Sequence, residues 1–445
     1  MNAKAPAVRP LGFWMALALV MGNMIGSGVF MLPASLAPFG WNAVFGWVLT
    51  IGGALCLAYV FATMAREMPH AGGPHGFVEA AFGHLPAFLI SWSYIISILV
   101  GVAALATGGV SYLTAFAPDI AATAGAPAVL AVSLLWALIL LNTRGAGAAG
   151  RFQLLTLGLK LLPLALIVGI ATVVLMGGAE PATPYVPETI SMTAINATAA
   201  LTLWAMLGFE SACVPQDKVD RPQTTIPRAT MAGTFIVGLI YFAVCTAVIM
   251  LMPADVVANL NAPLADVIAG YWGTGAGIAV ALFAAVSAIG AINGWILILG
   301  EYPLAMARKG DFPHLFRDVN ARGTPVRGIL IGGALITILV LSNYTRSMAG
   351  LFTFMALLST SATLVLYFAG AAAAVRLMLK RRLTTTPLLA VLTSLGLIYA
   401  IWAFQGAGAE ANGWALVLLI AGLPVYLLVR RQKAAQGVQQ GATNG

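Results

Sequence analysis

Twelve apolar runs of about twenty residues leave this chain of 445 residues few ways to fold. A run of that length crosses the ~30 Å hydrocarbon core of a bilayer as one helix. The runs fall near 12–34, 40–62, 86–115, 126–142, 152–176, 191–213, 229–252, 273–303, 328–343, 348–376, 387–406 and 412–430. Only 8% of residues are charged and 60% are hydrophobic, against roughly 25% charged in a soluble domain. The expected fold is an all-α polytopic membrane protein, with backbone polar groups satisfied inside helices. The net charge of +8 is no nucleic-acid footprint. In such a chain the position of each Lys and Arg matters more than their sum.

With the N-terminus placed inside, 20 of the 22 Lys and Arg lie on the inner side. Arg346 falls outside and Lys160 falls within a span. This is the positive-inside pattern. It predicts a multi-pass protein of the cell inner membrane with both termini cytoplasmic, the tails being 1–11 and 431–445. The first apolar run is too long for a signal peptide and lacks an A-x-A-type cleavage site, so it reads as a retained span. Cys56, Cys213 and Cys245 lie in or beside apolar segments and read as small packing residues. His70, His75, His84 and His314 are read as loop residues without a carboxylate pairing, so neither a metal site nor a cofactor is expected. An enzyme is the least expected class, for want of a nucleophile–base pair.

Two spans carry breaks. The first contains Gly22-Asn23-Met24-Ile25-Gly26-Ser27-Gly28, and glycine costs a helix interior about 1 kcal/mol relative to alanine. Such a patch serves either close helix packing or an unwound segment lining a cavity. The sixth span contains Leu207-Gly208-Phe209-Glu210, a glycine and a carboxylate in mid-membrane. Five spans per half turn the second half upside down relative to the first. Paired interrupted spans in inverted halves point to a transport site near the bilayer midplane. The resulting organisation is 12–176 and 191–376 as inverted five-helix repeats, then two helices within 387–430.

At the first break the helix restarts after Ser27, and its free N–H groups suit an anion such as a carboxylate. In span six the first half-helix ends near Leu207, and its free carbonyls suit an ammonium group. Together they read as a pocket for an α-amino acid, with amines able to use the carbonyl side. Glu210 is an intramembrane carboxylate and a functional candidate by default. It is either a proton-coupled or pH-sensitive gate or a tie from the broken helix to backbone N–H groups. Lys160 is either a built-in cation replacing a bound sodium or a side chain snorkelling to the interface near Arg151. Trp204, Trp295, Tyr94 and Tyr367 sit in candidate core spans, where aromatic faces attract cations. Trp295 follows Asn293-Gly294, read as a further kink.

These motifs carry a resemblance. Gly22 to Pro33, Trp204 to Ser211, the Pro222 to Pro227 loop and Lys309-Gly310-Asp311-Phe312-Pro313 resemble the amino acid–polyamine–organocation transporter superfamily. Within it the chain is most similar to the bacterial basic amino acid/polyamine antiporters, the arginine/agmatine exchangers above all. Asp318 to Val326 and Ile398 to Ala403 share in that similarity. The resemblance implies twelve transmembrane helices, an inverted 5+5 repeat with broken helices 1 and 6, two C-terminal helices, alternating access and a homodimer. It assigns Met24, Gly26, Ser27, Gly28, Ser97, Ile98, Trp204, Leu207, Trp295 and Ser359 to substrate binding. Tyr94, Glu210 and Tyr367 match the family's cytoplasmic-side gate. A lysine at position 160 is typical of proton-dependent and heteromeric-type amino acid transporters, which implies sodium independence and joins Lys160 to the gating and pH-coupling set. Val102 and Leu105 stand where arginine exchangers have asparagine and methionine, which implies a smaller or neutral substrate. The function expected is a sodium-independent amino acid/amine antiporter embedded in the lipid bilayer. The alternatives are a proton-coupled symporter and, further off, a sensor or channel.

Overall fold

The computed structural model describes residues 12–69, 71, 73–114, 118–123, 125–144, 146–213, 219–342 and 348–443. The expectations for tail 1–11, His70, Lys218 and Arg346 lie outside the described residues. Among those residues, 10 helical segments are long and apolar enough to cross a membrane. Two shorter apolar helices accompany them, Ala126–Asn142 and Val326–Ser342.

The first apolar run forms two helices, α1 (Phe13–Met24) and α2 (Gly28–Leu36). α3 (Trp41–Glu67), the short α4 (Pro74–Phe82), α5 (His84–Leu113), the short α6 (Pro118–Ala122), α7 (Ala126–Asn142) and α8 (Ala146–Met176) follow. α9 (Met192–Met206) ends in a 3₁₀ turn over Phe209–Cys213. Next come α10 (Pro222–Leu251), the short α11 (Ala254–Val257) and α12 (Pro263–Trp272), and α13 (Thr274–Arg308). α14 (Val326–Ser342), α15 (Met348–Leu379), α16 (Pro387–Gly406), α17 (Gly408–Ile420) and α18 (Gly422–Thr443) complete the chain.

α1, α2 and α9 are buried along most of their length, inside a shell of α3, α5, α8, α10, α13 and α15. Burial on all sides suits helices whose sequences are apolar all round. The outer faces of α14, α16 and α17 keep exposed Leu, Ile and Val, as lipid contact requires.

The link before α5 and the link before α13 contain α4 and α12, each opened by a proline whose fixed φ suits a first helical turn. α13 runs through Asn293-Gly294 without interruption of its helix. The last span begins at Gly408 and divides at Ala421, and helix runs on to Thr443 through most of the expected tail.

α16 packs against α9, and a Cβ on Gly406 would lie 2.0 Å from the Asn196 carbonyl oxygen. Gly406→Ala is therefore expected to cost about 1–3 kcal/mol, read as a lower melting temperature in detergent. An unchanged melting temperature would mean that the two helices do not meet there.

Candidate functional site

The break between α1 and α2 exposes five consecutive carbonyls, and each has a partner. Ile25 is extended (φ −79, ψ 91), which takes the chain out of the helical ladder. Lys160 Nζ on α8 donates to Gly22 O at 2.9 Å and Ile25 O at 2.6 Å. Trp295 Nε1 on α13 donates to Asn23 O at 3.2 Å. Tyr241 Oη on α10 donates to Met24 O at 2.6 Å. Ser287 Oγ on α13 donates to Gly26 O at 3.2 Å. Orphaned carbonyls in a dry interior cost several kcal/mol in lipid, so these four side chains make the unwound segment tenable. The negative end of the α1 dipole adds to the attraction for the Lys160 ammonium.

The second break lies against the first. Gly208 has φ +112, a left-handed conformation that a side chain would strain. A Cβ there would stand 3.4 Å from backbone atoms of Asn23 and Met24, so the two unwound segments touch. Glu210, fully buried in the 3₁₀ turn, accepts three hydrogen bonds. Tyr94 Oη donates to Oε1 at 3.0 Å, Tyr367 Oη to Oε2 at 2.7 Å, and Gly208 N to Oε2 at 3.2 Å. The bond from Gly208 N is the tie to backbone that one reading of Glu210 expects, and the two tyrosines join it to α5 and α15. Phe209 stacks on Tyr367 with ring centroids 4.7 Å apart, and Phe61 packs edge-on to both rings.

Between the breaks lies a narrow cavity. Met24, Gly26, Gly28, Ser97, Ile98, Trp204, Leu207, Trp295 and Ser359 line it, with Tyr94 and Glu210 at one end. Ser27, Tyr367 and Lys160, singled out with them, are buried outside that lining. Ser27 Oγ has no hydrogen-bond partner and faces Gly108, whose Cβ would lie 2.7 Å from it. Asn23, Gly101, Ala205 and Thr363 also line the cavity and were not singled out. Ser359 Oγ donates to Ser97 O at 2.9 Å, joining α15 to α5 across one wall. Gly28 leaves room for Trp204, whose ring would lie 2.8 Å from a Cβ there. Trp204 packs edge-on against Phe352 on α15 with centroids 5.1 Å apart. A wider recess of ≈ 1060 Å³ lies among the end of α2, the start of α15 and the α16–α17 junction.

Three sequence readings are corrected here. Lys160 does not snorkel: it is wholly buried and bound to the broken span. Val102 is buried outside the cavity lining, while Leu105 is in it, so the inference about substrate size stands on Leu105 alone. His75 and His84 are not unpaired loop residues. His75 sits in α4 facing Asp311 and Glu79, and His84 opens α5 with Nδ1 2.7 Å from Glu79. The His75-x-x-x-Glu79 spacing was the signal, since i and i+4 share one helix face. Tyr241 and Ser287 gave none, because nothing in sequence tells a hydroxyl bonded to a distant carbonyl from a packed one.

A cavity flanked by two interrupted helices is an arrangement that recurs at the substrate sites of secondary transporters. The amino acid permease family model matches residues 11–429 of this chain. The chain belongs to that family, within the amino acid–polyamine–organocation superfamily. It is 30% identical over 348 residues to the cadaverine/lysine antiporter of Escherichia coli K12, covering 77% of each chain. It is 28% identical to the putrescine transporter PotE of Haemophilus influenzae over 438 residues, 96% of this chain and 98% of that one. To the putrescine transporter PotE of Escherichia coli K12 it is 26% identical over 423 residues, covering 92% and 94%.

Lys160→Met keeps the stem and removes the ammonium, leaving the Gly22 and Ile25 carbonyls without it. A loss of about 1–3 kcal/mol per orphaned acceptor is expected, seen as a lower melting temperature of purified protein. Wild-type stability in that variant would show that the ammonium does not hold the break.

Proposed function

We propose that the chain is a sodium-independent amino acid/amine antiporter that works by alternating access through the cavity between its two breaks. The observation that carries this is the meeting of two unwound segments around a cavity that holds Glu210. The N-terminal end of α2 faces a substrate carboxylate, and the C-terminal end of α9 with Glu210 faces an amine. Trp204 and Trp295 supply aromatic faces for a cation. Sodium has no role at the first break, since Lys160 Nζ already occupies the carbonyls a sodium ion would take. The names of the relatives favour linear amines and their parent amino acids as substrates.

The twelve-span inverted repeat belongs to the same proposal, with α7 and α14 as the fourth and ninth spans. The helix lengths support it. The fourth span of each half has 17 residues, the third has 30 and 35, and the fifth has 31 and 32. Both halves open with a broken helix, giving 12–176 and 191–376 as the repeats. The distribution of Lys and Arg supports both termini in the cytoplasm of an inner-membrane protein. On that orientation Tyr94, Glu210 and Tyr367 form the cytoplasmic barrier, and the wider recess opens outward.

Liposomes holding the purified protein, preloaded with lysine, cadaverine, putrescine, arginine or alanine, test the reading. Uptake of a labelled amine or amino acid only into preloaded liposomes, with or without sodium, is expected. Equal uptake into empty liposomes under an inward proton gradient would establish the symporter, which Glu210 also suits. Glu210→Gln is expected to cut exchange at least about tenfold, the usual scale for losing a charged hydrogen-bond acceptor. Full exchange by that variant would remove Glu210 from the barrier.

A further inference from the structure

A second polar cluster forms where α4, α5, the loop after α13 and α18 meet. Among the described residues, His75, Glu79 and Asp311 are the group whose ligand atoms converge closely enough to share a metal ion, all within 4.8 Å of one another. His75 Nε2 stands 3.3 Å from Asp311 Oδ2 and 3.8 Å from Glu79 Oε2. His75 and Glu79 are one turn apart on α4, so one helix face presents both. Asp311 lies 236 residues beyond His75 in the chain, which is why no local spacing announced the group. Ligand atoms around a tetrahedral zinc ion, each about 2.0–2.2 Å from the metal, stand roughly 3.3–3.6 Å from one another. Small side-chain shifts would bring these three atoms to that spacing.

The outer contacts separate this group from an ordinary ion-pair cluster. Each of the three side chains is held through its other polar atom. His75 Nδ1 is 3.2 Å from the Ala87 carbonyl oxygen and 2.9 Å from Ser91 Oγ, both on α5. Glu79 Oε1 is 2.7 Å from Nδ1 of His84, and Asp311 Oδ1 takes Lys433 Nζ of α18 at 2.8 Å. Partners of this kind fix the orientation of ligands in metal sites. Without a metal, the neutral ring with its hydrogen on Nε2 donates to Asp311, and Nδ1 accepts from Ser91. The other neutral tautomer carries its hydrogen on Nδ1, where the Ala87 carbonyl accepts it, and turns the Nε2 lone pair towards both carboxylates. One nitrogen and two oxygens then offer lone pairs to one point, with the ring neutral in both states.

We infer that His75 Nε2, Glu79 and Asp311 bind a divalent transition-metal cation, zinc above all, with water as the fourth ligand, and that the ion clasps α4 to the loop after α13. Magnesium and calcium take all-oxygen sets, so the imidazole selects against them. Among first-row metals a site of nitrogen and oxygen ligands holds zinc more tightly than manganese or ferrous iron. The ion has a way in, since the Glu79 and Asp311 side chains are 29% and 12% exposed while that of His75 is 4% exposed. Two cations lie close by, and both are engaged elsewhere. Lys433 is on the other Asp311 oxygen, and Lys309 Nζ donates to Ala71 O at 2.9 Å.

The test is a calorimetric titration with zinc of the full chain in detergent, stripped of metal by a chelator and carrying no affinity-tag histidines. One saturable zinc per chain is expected. Glu79→Gln and His75→Asn are each expected to weaken binding at least about tenfold. His314→Asn, outside the cluster, is expected to bind as wild type does. Zinc should also raise the melting temperature of wild type more than that of Glu79→Gln. X-ray absorption at the zinc edge of the wild-type complex should show one imidazole nitrogen with oxygen ligands and no sulfur. If His75→Asn does not fold, the partly exposed Glu79→Gln and the absorption spectrum carry the test. Absence of saturable binding by wild type overturns the site. So does wild-type affinity in every ligand variant that folds, or a spectrum with sulfur or several imidazoles. Zinc binding is read without transport, so its outcome is independent of the antiport proposal.

Discussion

Everything near the centre of this protein depends on how the carbonyls of residues 22–26 are satisfied. A helix interrupted inside hydrocarbon has no water to complete its hydrogen bonds. Here Lys160, Trp295, Tyr241 and Ser287 supply the missing donors from α8, α13 and α10. The break is therefore built by three neighbouring helices, and any rearrangement of those helices changes its bonding. That coupling is what an alternating-access carrier needs, because the substrate site and the surrounding scaffold then cannot move independently.

The second break has a different construction. Gly208 turns the backbone by a positive φ, and Glu210 then returns to the Gly208 N–H while holding two tyrosines from α5 and α15. One carboxylate thus joins the unwound segment to two scaffold helices. A substrate ammonium arriving in the cavity would compete with Tyr94 and Tyr367 for the same oxygens. Substrate binding and release of the barrier are linked through that competition in the proposed cycle.

Much of the fold was legible in sequence, because a bilayer forces each span to announce itself as an apolar run. The broken spans were legible through Gly26-Ser27-Gly28 and Gly208, where glycines sit in otherwise good helix. Gly294 shows the limit of that reasoning. It stands inside α13, which is helical from Thr274 to Arg308. Nine of the ten residues assigned to substrate contact line the cavity, Ser27 being the exception because its hydroxyl turns towards α5 at Gly108. The donors Tyr241 and Ser287 and the His75–Asp311 pair were not legible. Their partners lie 217, 261 and 236 residues away, and no local pattern records such a contact.

The most direct test of the broken-span site is chemical protection of a thiol placed in it. Leu207→Cys, made with Cys56, Cys213 and Cys245 replaced by alanine, puts one thiol in the cavity wall. Its alkylation by a small cationic reagent would be timed with and without the substrate that the same preparation exchanges. The expected result is slower alkylation as substrate concentration rises, with half-protection near the concentration that half-saturates exchange. Alkylation unaffected by saturating substrate, in protein that still exchanges it, would place the substrate elsewhere.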